Sequence, residues 1–211
     1  LSLLQKDHEK FENEGKLPHW RFKLIDEEVV WDDLIRGKCS YDMRSLSDPV
    51  IMREDGRPIY TLASVVDDID HEITHIIRGE DHVTNSAAQI QLFKALGIQP
   101  PSLGHLSLIA GSEGEGLSKR LGSLSLGQLK QEGLESNALT SLLAKLGTSD
   151  PISFIENIEG LIKNFDLKKF SRNTAKFDMK DLYLLNKKSI QSMSYQEALK
   201  KLKLKDLDNI N

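Results

Sequence analysis

The chain has 211 residues, of which 39% are hydrophobic and 28% are charged, with 14 glycines and 6 prolines. This composition excludes a disordered, collagen-like or low-complexity chain and predicts a folded protein with a sizeable core. The single cysteine, Cys39, cannot form a disulfide within the chain, and no apolar run of about 18 residues exists, so a disulfide scaffold and a membrane span are excluded. We expect the protein to be cytoplasmic. The sequence begins with Leu1 rather than methionine, which predicts part of a longer chain.

Charge is distributed unevenly along the chain. The net charge is −4 overall, but residues 1–150 contribute −8 and residues 151–211 contribute +4. A basic C-terminal part suits a polyanionic partner such as RNA. A solvated lysine-rich face is an equally good interpretation of the charge alone.

Short apolar patterns in the first third of the chain predict a mixed α/β fold. Alternating apolar residues between positions 20 and 41 predict small strands or hairpins. The apolar stretch at residues 59–66 is a strand or a helix, because its periodicity does not separate the two. The β-branched run at residues 73–77 predicts a buried strand.

The pattern then alternates between helix and strand. A helix that begins near Thr84 or Asn85 ends at Gly97. Residues 105–109 predict the next strand, and the glycine-rich segment at residues 111–116 predicts a loop.

Helical patterns dominate from about residue 136 onward. A helix that begins at residue 136 or 137 ends at Gly147. Asp150 as N-cap and Pro151 at the first helical position predict a second helix. Ser194 and Glu197 form a capping box for a last helix.

Residues 71–75 read His-Glu-Ile-Thr-His and fit the H-E-x-x-H pattern of zinc hydrolases. That chemistry requires a helix, because on a strand the two histidines would lie about 13 Å apart. The β-branched residues at 73–77 favour a strand. A zinc hydrolase is therefore a minor alternative.

Charged residues cluster immediately after the strand predicted at residues 73–77. Ligands of open α/β sheets bind outside the carboxyl ends of the strands. Arg78 lies at that point, and its guanidinium suits a carboxylate ligand, which accepts two parallel hydrogen bonds. Asp67 and Asp68 suit a metal, a ligand amine or a turn.

A Lys-Arg pair ends the glycine-rich loop. Residues 116–120 read Gly-Leu-Ser-Lys-Arg. Cationic side chains on such a loop suit phosphate, because they offset the charge that develops on a departing pyrophosphate.

Together these segments resemble the glutamyl-tRNA synthetases, a family of class I aminoacyl-tRNA synthetases. Four motifs occur in the order of that family and close to its spacings: D-G-R-P-I-Y at 55–60, V-V-D-D at 65–68, I-T-H-I-I-R-G-E-D-H at 73–82 and G-L-S-K-R at 116–120. The resemblance implies ATP-dependent attachment of L-glutamate to tRNA through a glutamyl adenylate, with Mg²⁺ bound together with ATP.

The resemblance also implies roles for individual residues. Tyr60, Ser64 and Arg78 would bind glutamate, with Arg78 gripping the side-chain carboxylate. The ATP-binding loop of the K-M-S-K-S type would comprise Gly116, Leu117, Ser118, Lys119 and Arg120. Lys119 would be the catalytic residue of that loop, and Gly116 stands where the family usually has a first lysine.

The architecture implied by the resemblance is α/β. Residues 51–148 would form the second half of a Rossmann-like catalytic domain, after the rear part of a connective α+β insertion at 1–50 that meets the tRNA acceptor end. Residues 149–211 would form an all-helical stem-contact domain. The H-I-G-H-type motif and the anticodon-binding domain are missing, so we expect the middle of a longer, monomeric enzyme that is inactive on its own. A non-catalytic tRNA-binding relative is the alternative, and the tRNA that is charged, a glutamate or a glutamine acceptor, stays open.

Overall fold

The computed structural model describes residues 9–11, 13–111, 114 and 125–208, with the side chains of residues 203–208 left aside. The chain divides into two compact units, Leu1–Leu106 and Ser107–Asn211. None of the helices in the described ranges has the length and apolar content needed to cross a membrane.

The N-terminal unit begins with two antiparallel strand pairs. Its strands are β1 (Trp20–Arg21), β2 (Glu28–Asp33), β3 (Gly37–Asp42) and β4 (Val50–Met52). β1 pairs with β4, and β2 pairs with β3 in a hairpin. The hairpin confirms the prediction for residues 20–41. Because side chains alternate along a strand, Val29, Trp31 and Asp33 share the inward face of β2.

A parallel strand–helix–strand unit follows the two antiparallel strand pairs. Helix α1 (Tyr60–Asp70) leads to strand β5 (His75–Gly79), helix α2 (Val83–Ala95) and strand β6 (Ser102–Leu106). β5 and β6 pair in parallel, so α2 is the crossover between them. All residues of α2 from Ser86 to Phe93 are buried, and Gly97, with φ +78°, ends the helical segment as predicted.

Three sequence predictions need correction or completion in this unit. Residues 59–66, left open between strand and helix, lie almost entirely in α1. The strand predicted at 73–77 begins at His75, and it is not buried: none of the five residues of β5 is buried, and its central Ile77 is 42% exposed. The strand predicted at 105–109 is wrong in its bounds: β6 ends at Leu106, and a separate strand begins at Ile109.

Two apolar clusters hold the N-terminal unit together. The larger one joins the hairpin to the inner face of α2 and to β6, and the smaller one joins α1 to the end of α2. The buried members of the larger cluster are Leu24, Val29, Met43, Ala87, Ala88, Ile90 and Leu103. Those of the smaller cluster are Val65, Leu92 and Phe93.

The C-terminal unit is mostly helical. Its elements are β7 (Ile109–Gly111), α3 (Leu126–Gln131), α4 (Ser136–Lys145), α5 (Ile158–Lys163), β8 (Ala175–Phe177), α6 (Met179–Ser192) and α7 (Tyr195–Asp208). Its core lies between α4 and α6, where Leu142 and Leu182 are fully buried. Helices follow residue 149 as predicted, but this part is not all-helical, because β8 is a strand that pairs in parallel with β7.

The helix start predicted at Asp150 and Pro151 is wrong. Lys145 and Lys169 both donate to the Asp150 carboxylate, at 2.7 and 3.1 Å, so this carboxylate serves an ion pair instead of a helix cap. The helix begins at Ile158, where Asn157 accepts a hydrogen bond from the Gly160 N–H.

The capping box predicted before the last helix is confirmed. The Glu197 N–H donates to the Ser194 hydroxyl at 3.2 Å, and the Ser194 N–H donates to the Glu197 carboxylate at 2.9 Å. Hydrogen bonds from the Ser194 N–H and hydroxyl to the carboxylate lower the pKa of Glu197 below its ordinary value.

Candidate active site

The parallel register of β5 and β6 brings Arg78 beside His105. The two residues are direct partners across the strand pair, one position before the end of β5. Neighbouring strands lie about 4.8 Å apart, so side chains that leave the same face at this level meet. The carboxyl end of a parallel strand pair is also where α/β folds bind their ligands.

Hydrogen bonds hold the Arg78 guanidinium on two sides. Its Nη1 donates to the Tyr60 hydroxyl at 2.9 Å, and its Nη2 donates to the Ser86 hydroxyl at 2.5 Å and to the Gln89 side-chain oxygen at 2.7 Å. Arginine has five N–H donors, so these bonds leave the Nε–H and one N–H of Nη1. The Nε is buried and has no hydrogen-bond partner within the described part of the chain.

Helix α1 supplies Tyr60 and Ser64 from successive turns. The Ser64 hydroxyl donates to the Tyr60 carbonyl at 2.7 Å and accepts a hydrogen bond from the Gln89 side-chain nitrogen, also at 2.7 Å. Gln89 therefore connects Ser64 to Arg78. The three residues predicted to bind glutamate lie in one hydrogen-bonded cluster.

The carboxylate of Asp68, on α1, lies close enough to Arg78 for their charges to interact. Asp67 and Asp68 are in the last turns of α1, so they are helical residues rather than turn residues. Burial raises the pKa of Asp68 above its ordinary value, the Arg78 charge opposes that rise, and the Asp67 charge adds to it.

Behind Arg78 the cluster continues into the core. The His105 Nε2 lies 2.7 Å from the Ser86 hydroxyl, and its Nδ1 lies 2.5 Å from the Asp33 carboxylate. The side chains of His105 and Asp33 are fully buried. The chain of contacts therefore runs from Asp33 on β2, through His105 on β6 and Ser86 on α2, to Arg78 on β5.

Asp33 is held as a carboxylate. Burial by itself would raise its pKa, but hydrogen bonds from the Arg36 N–H, from the ring and N–H of His105 and from the Ile35 N–H bring the pKa below its ordinary value. Because the carboxylate accepts from Nδ1, that nitrogen carries the proton. In the neutral ring, Nε2 then accepts from Ser86.

Sequence reasoning missed Ser86, Gln89, His105 and Asp33. Ser86 and Gln89 are three positions apart on one face of α2, and nothing in their spacing marks them. Asp33 carried one usable signal, since a carboxylate at the inward-facing end of an alternating strand has to find a buried partner.

The zinc hydrolase alternative is wrong. α1 ends before His71, Glu72 has φ +52° outside any helix, and His75 begins β5, so the two histidines are not on one helical face. Among the residues described, no group of three or more His, Cys, Asp or Glu side chains could hold a metal ion.

The predicted ATP-binding loop lies outside the described residues. This applies to all five of its positions, Gly116, Leu117, Ser118, Lys119 and Arg120.

The parallel strand–helix–strand unit defines an α/β domain, with a hydrogen-bonded arginine at the carboxyl end where such folds bind ligands. A family profile described as tRNA synthetases class I (E and Q), catalytic domain, matches residues 1–184. The chain belongs to this family of class I tRNA synthetases.

Curated relatives of this chain include several glutamate–tRNA ligases. Glutamate–tRNA ligase 1 of Maricaulis maris is 51% identical over 203 residues, which is 96% of this chain and 46% of the relative. The glutamate–tRNA ligase of Azospirillum brasilense is 50% identical over 199 residues, 94% of this chain and 45% of the relative. The chain thus spans about half the length of these relatives.

A solved structure has the same fold. The glutamate tRNA ligase of Elizabethkingia meningosepticum, crystallised in complex with its amino acid, superposes with a TM-score of 0.83 at 31% identity. The superposition covers 99% of this chain and 45% of that one. The α/β fold with following helices, expected from the sequence, is confirmed.

Proposed function

We propose that the native protein containing this chain attaches L-glutamate to tRNA. ATP first activates the α-carboxylate as glutamyl adenylate, with release of pyrophosphate, and the terminal ribose of tRNA then takes the glutamyl group. Support comes from the family, from relatives named glutamate–tRNA ligases, and from the cluster around Arg78.

The arrangement of Arg78 is the observation that carries this proposal. Its hydrogen-bond acceptors among the described residues, Tyr60, Ser86 and Gln89, are all neutral, so a ligand carboxylate would supply a negatively charged acceptor. The bond to Tyr60 is exposed, whereas those to Ser86 and Gln89 are partly buried. A ligand therefore meets Arg78 at its Nη1 edge.

Tyr60 is placed to complete this contact. Its hydroxyl oxygen accepts from Arg78, and its own proton is available, because His82 Nδ1 lies at a long 3.5 Å. We propose that one oxygen of the glutamate side chain lies between the Nη1–H and the Tyr60 O–H. The sequence predicts that the carboxylate accepts two parallel hydrogen bonds from Arg78. That arrangement would require Nη2 to break its hydrogen bond to Ser86 or Gln89. Ser64 would act through Gln89.

We propose that residues 116–120 bind the ATP phosphates, with Lys119 as the catalytic residue, on the strength of their resemblance to the family loop. Mg²⁺ would enter with ATP and offset phosphate charge. Among the described residues, no group of three or more His, Cys, Asp or Glu side chains could hold this ion.

The remaining assignments follow the family resemblance. We propose residues 1–50 as part of the acceptor-end insertion, 51–148 as catalytic and 149–211 as the tRNA stem contact. The last assignment is supported by the +4 charge of residues 151–211. We further propose a cytoplasmic monomer, which gel filtration of the native protein would test.

Arg78→Lys tests the proposed function. Lysine keeps the charge but loses the planar donor set, so KM for glutamate should rise at least tenfold in tRNA aminoacylation, with KM for ATP unchanged. Arg44→Lys is the matched control, because Arg44 also lies in the N-terminal unit and its guanidinium donates to the nearby Asp42 carboxylate, away from Arg78.

Equal KM values for glutamate in the Arg78 and Arg44 variants would refute the assignment. A native protein that binds tRNA with strong salt dependence but forms no glutamyl-tRNA would favour the non-catalytic alternative.

A further inference from the structure

We infer that Asp33, His105 and Ser86 form a positioning relay that fixes the Arg78 guanidinium for the side-chain carboxylate of glutamate. This inference rests on the proposed function and adds residues that act through Arg78. Ser86 accepts a hydrogen bond from Arg78, and His105 and Asp33 act through Ser86. Their connection spans the hairpin, both parallel strands and α2.

Each contact of the relay has its hydrogen-bond direction set by the one before it. The Asp33 carboxylate is anchored by three backbone N–H groups, those of Ile35, Arg36 and His105. It accepts from the His105 Nδ1, which leaves Nε2 to accept from Ser86. The Ser86 hydroxyl lies closer to Nε2, at 2.7 Å, than to the His82 carbonyl, at 3.1 Å.

The relay ends by presenting an acceptor to Arg78. Once the Ser86 proton points toward His105, the lone pairs of its oxygen are free for the Nη2 of Arg78. The buried carboxylate at the far end polarises the whole chain of hydrogen bonds and strengthens the last one. Even with a protonated His105, the serine oxygen retains a lone pair for Arg78.

The consequence for the ligand is geometric. Nη2 is held by Ser86 and Gln89, so the plane of the guanidinium is fixed and Nη1 is left at the exposed edge. Because the guanidinium plane is already fixed, Arg78 loses less conformational entropy when a carboxylate binds. Loss of the relay should therefore weaken glutamate binding and leave ATP binding unaffected.

Ser86→Ala removes the last contact of the relay. We expect KM for glutamate to rise about tenfold in tRNA aminoacylation by the native protein, with KM for ATP unchanged. Ser189→Ala is the matched control, since Ser189 is an equally buried helical serine whose hydroxyl donates to Asn137 in the C-terminal unit. Its KM for glutamate should stay at the original value.

Asp33→Asn tests the far end and keeps the side-chain size. The amide would donate to Nδ1, move the ring proton to Nε2 and turn the Ser86 hydroxyl toward His82. KM for glutamate should rise about threefold, because the polarisation of the Ser86 oxygen is lost.

The double variant separates a relay from a general loss of structure. In the Ser86→Ala background, Asp33→Asn should cause no further rise in KM for glutamate, because the route between the two ends is already cut. The same fold-change in both backgrounds, or an unchanged KM in Ser86→Ala, would overturn the relay.

Arg78→Lys distinguishes the two proposals. If that variant raises KM for glutamate and Ser86→Ala does not, the proposed function stands and the relay falls. If neither variant changes it, the glutamate site itself is wrong.

Discussion

Arg78 is a cation whose partners in the described residues carry no charge. Hydroxyl and amide oxygens satisfy three of its N–H groups, while its Nε is buried without a partner among those residues. A partly buried cation to which no carboxylate is hydrogen-bonded is costly, and an anionic ligand that binds it directly lowers that cost. The environment of the Arg78 guanidinium therefore favours binding of an anionic ligand.

Individual site residues differ in how far the sequence predicts them. Arg78, Tyr60 and Ser64 belong to motifs that can be recognised locally, and their mutual proximity agrees with those motifs. His105 and Asp33 are 72 positions apart, and their contact depends on how β2 and β6 pack. No local pattern encodes such a contact.

Asp33 should make the N-terminal unit sensitive to acid. Its pKa is lowered in the folded state, so its contribution to the free energy of unfolding is present above the pKa of the unfolded chain and is lost as pH falls through the lower folded value. Asp33→Asn should cost about 1–3 kcal/mol at pH 7. The difference from the unmodified protein should shrink below about pH 4.

Urea unfolding of both proteins at pH 7, 5 and 3 checks this prediction. Asp32→Asn is the control, because the neighbouring side chain is exposed. A difference between Asp33→Asn and the unmodified protein that stays constant down to pH 3 would contradict it.

At the scale of elements, local signals work where nothing distant competes with them. Ser194 and Glu197 cap α7 as predicted, and both are exposed and form reciprocal hydrogen bonds. The equally good local signal at Asp150 fails because Lys145, almost fully buried, needs its carboxylate as a partner. The free-energy cost of leaving the buried Lys145 charge unpaired is larger than the gain from a helix cap at Asp150.

The turn after α4 depends on glycine. Gly147 has φ +76°, and a Cβ there would lie 3.3 Å from the side chain of Ala175 on β8. Gly147→Ala should lower the free energy of unfolding of the C-terminal unit by about 1–2 kcal/mol. Gly127→Ala, within α3 and with nothing closer than 3.7 Å, should stabilise it by up to about 1 kcal/mol.

Denaturant titrations of the two glycine variants check this comparison within one unit. If both substitutions change the free energy of unfolding by the same amount, alanine at position 147 adopts the positive φ without strain, and the prediction is wrong.

At the scale of the whole molecule, charge separates the two ends of the chain. The +4 of residues 151–211 stands against −8 for the rest. Lys187 and Lys188 lie exposed on α6 and are candidates for phosphate contacts. The α/β start and helical end were predictable from patterning, but β8 was not, since a three-residue strand has almost no periodicity.

Lys187→Glu with Lys188→Glu should weaken tRNA binding in a salt-dependent way. Each lost phosphate contact lowers the slope of log affinity against log salt concentration by about 1. Lys94→Glu, an exposed change on α2, is the control. Titrations of tRNA at several salt concentrations measure the slopes, and an unchanged slope for the double variant would place the RNA elsewhere.

The pairing of β7 with β8 also sets an order of events during synthesis. β7 ends at Gly111 and its parallel partner begins at Ala175, so roughly 65 residues must be made before the pair can form. At about 5–20 residues per second, the ribosome needs about 3–13 seconds for that stretch. Over this interval the nascent β7 has an open edge, which a chaperone or a neighbouring chain could occupy.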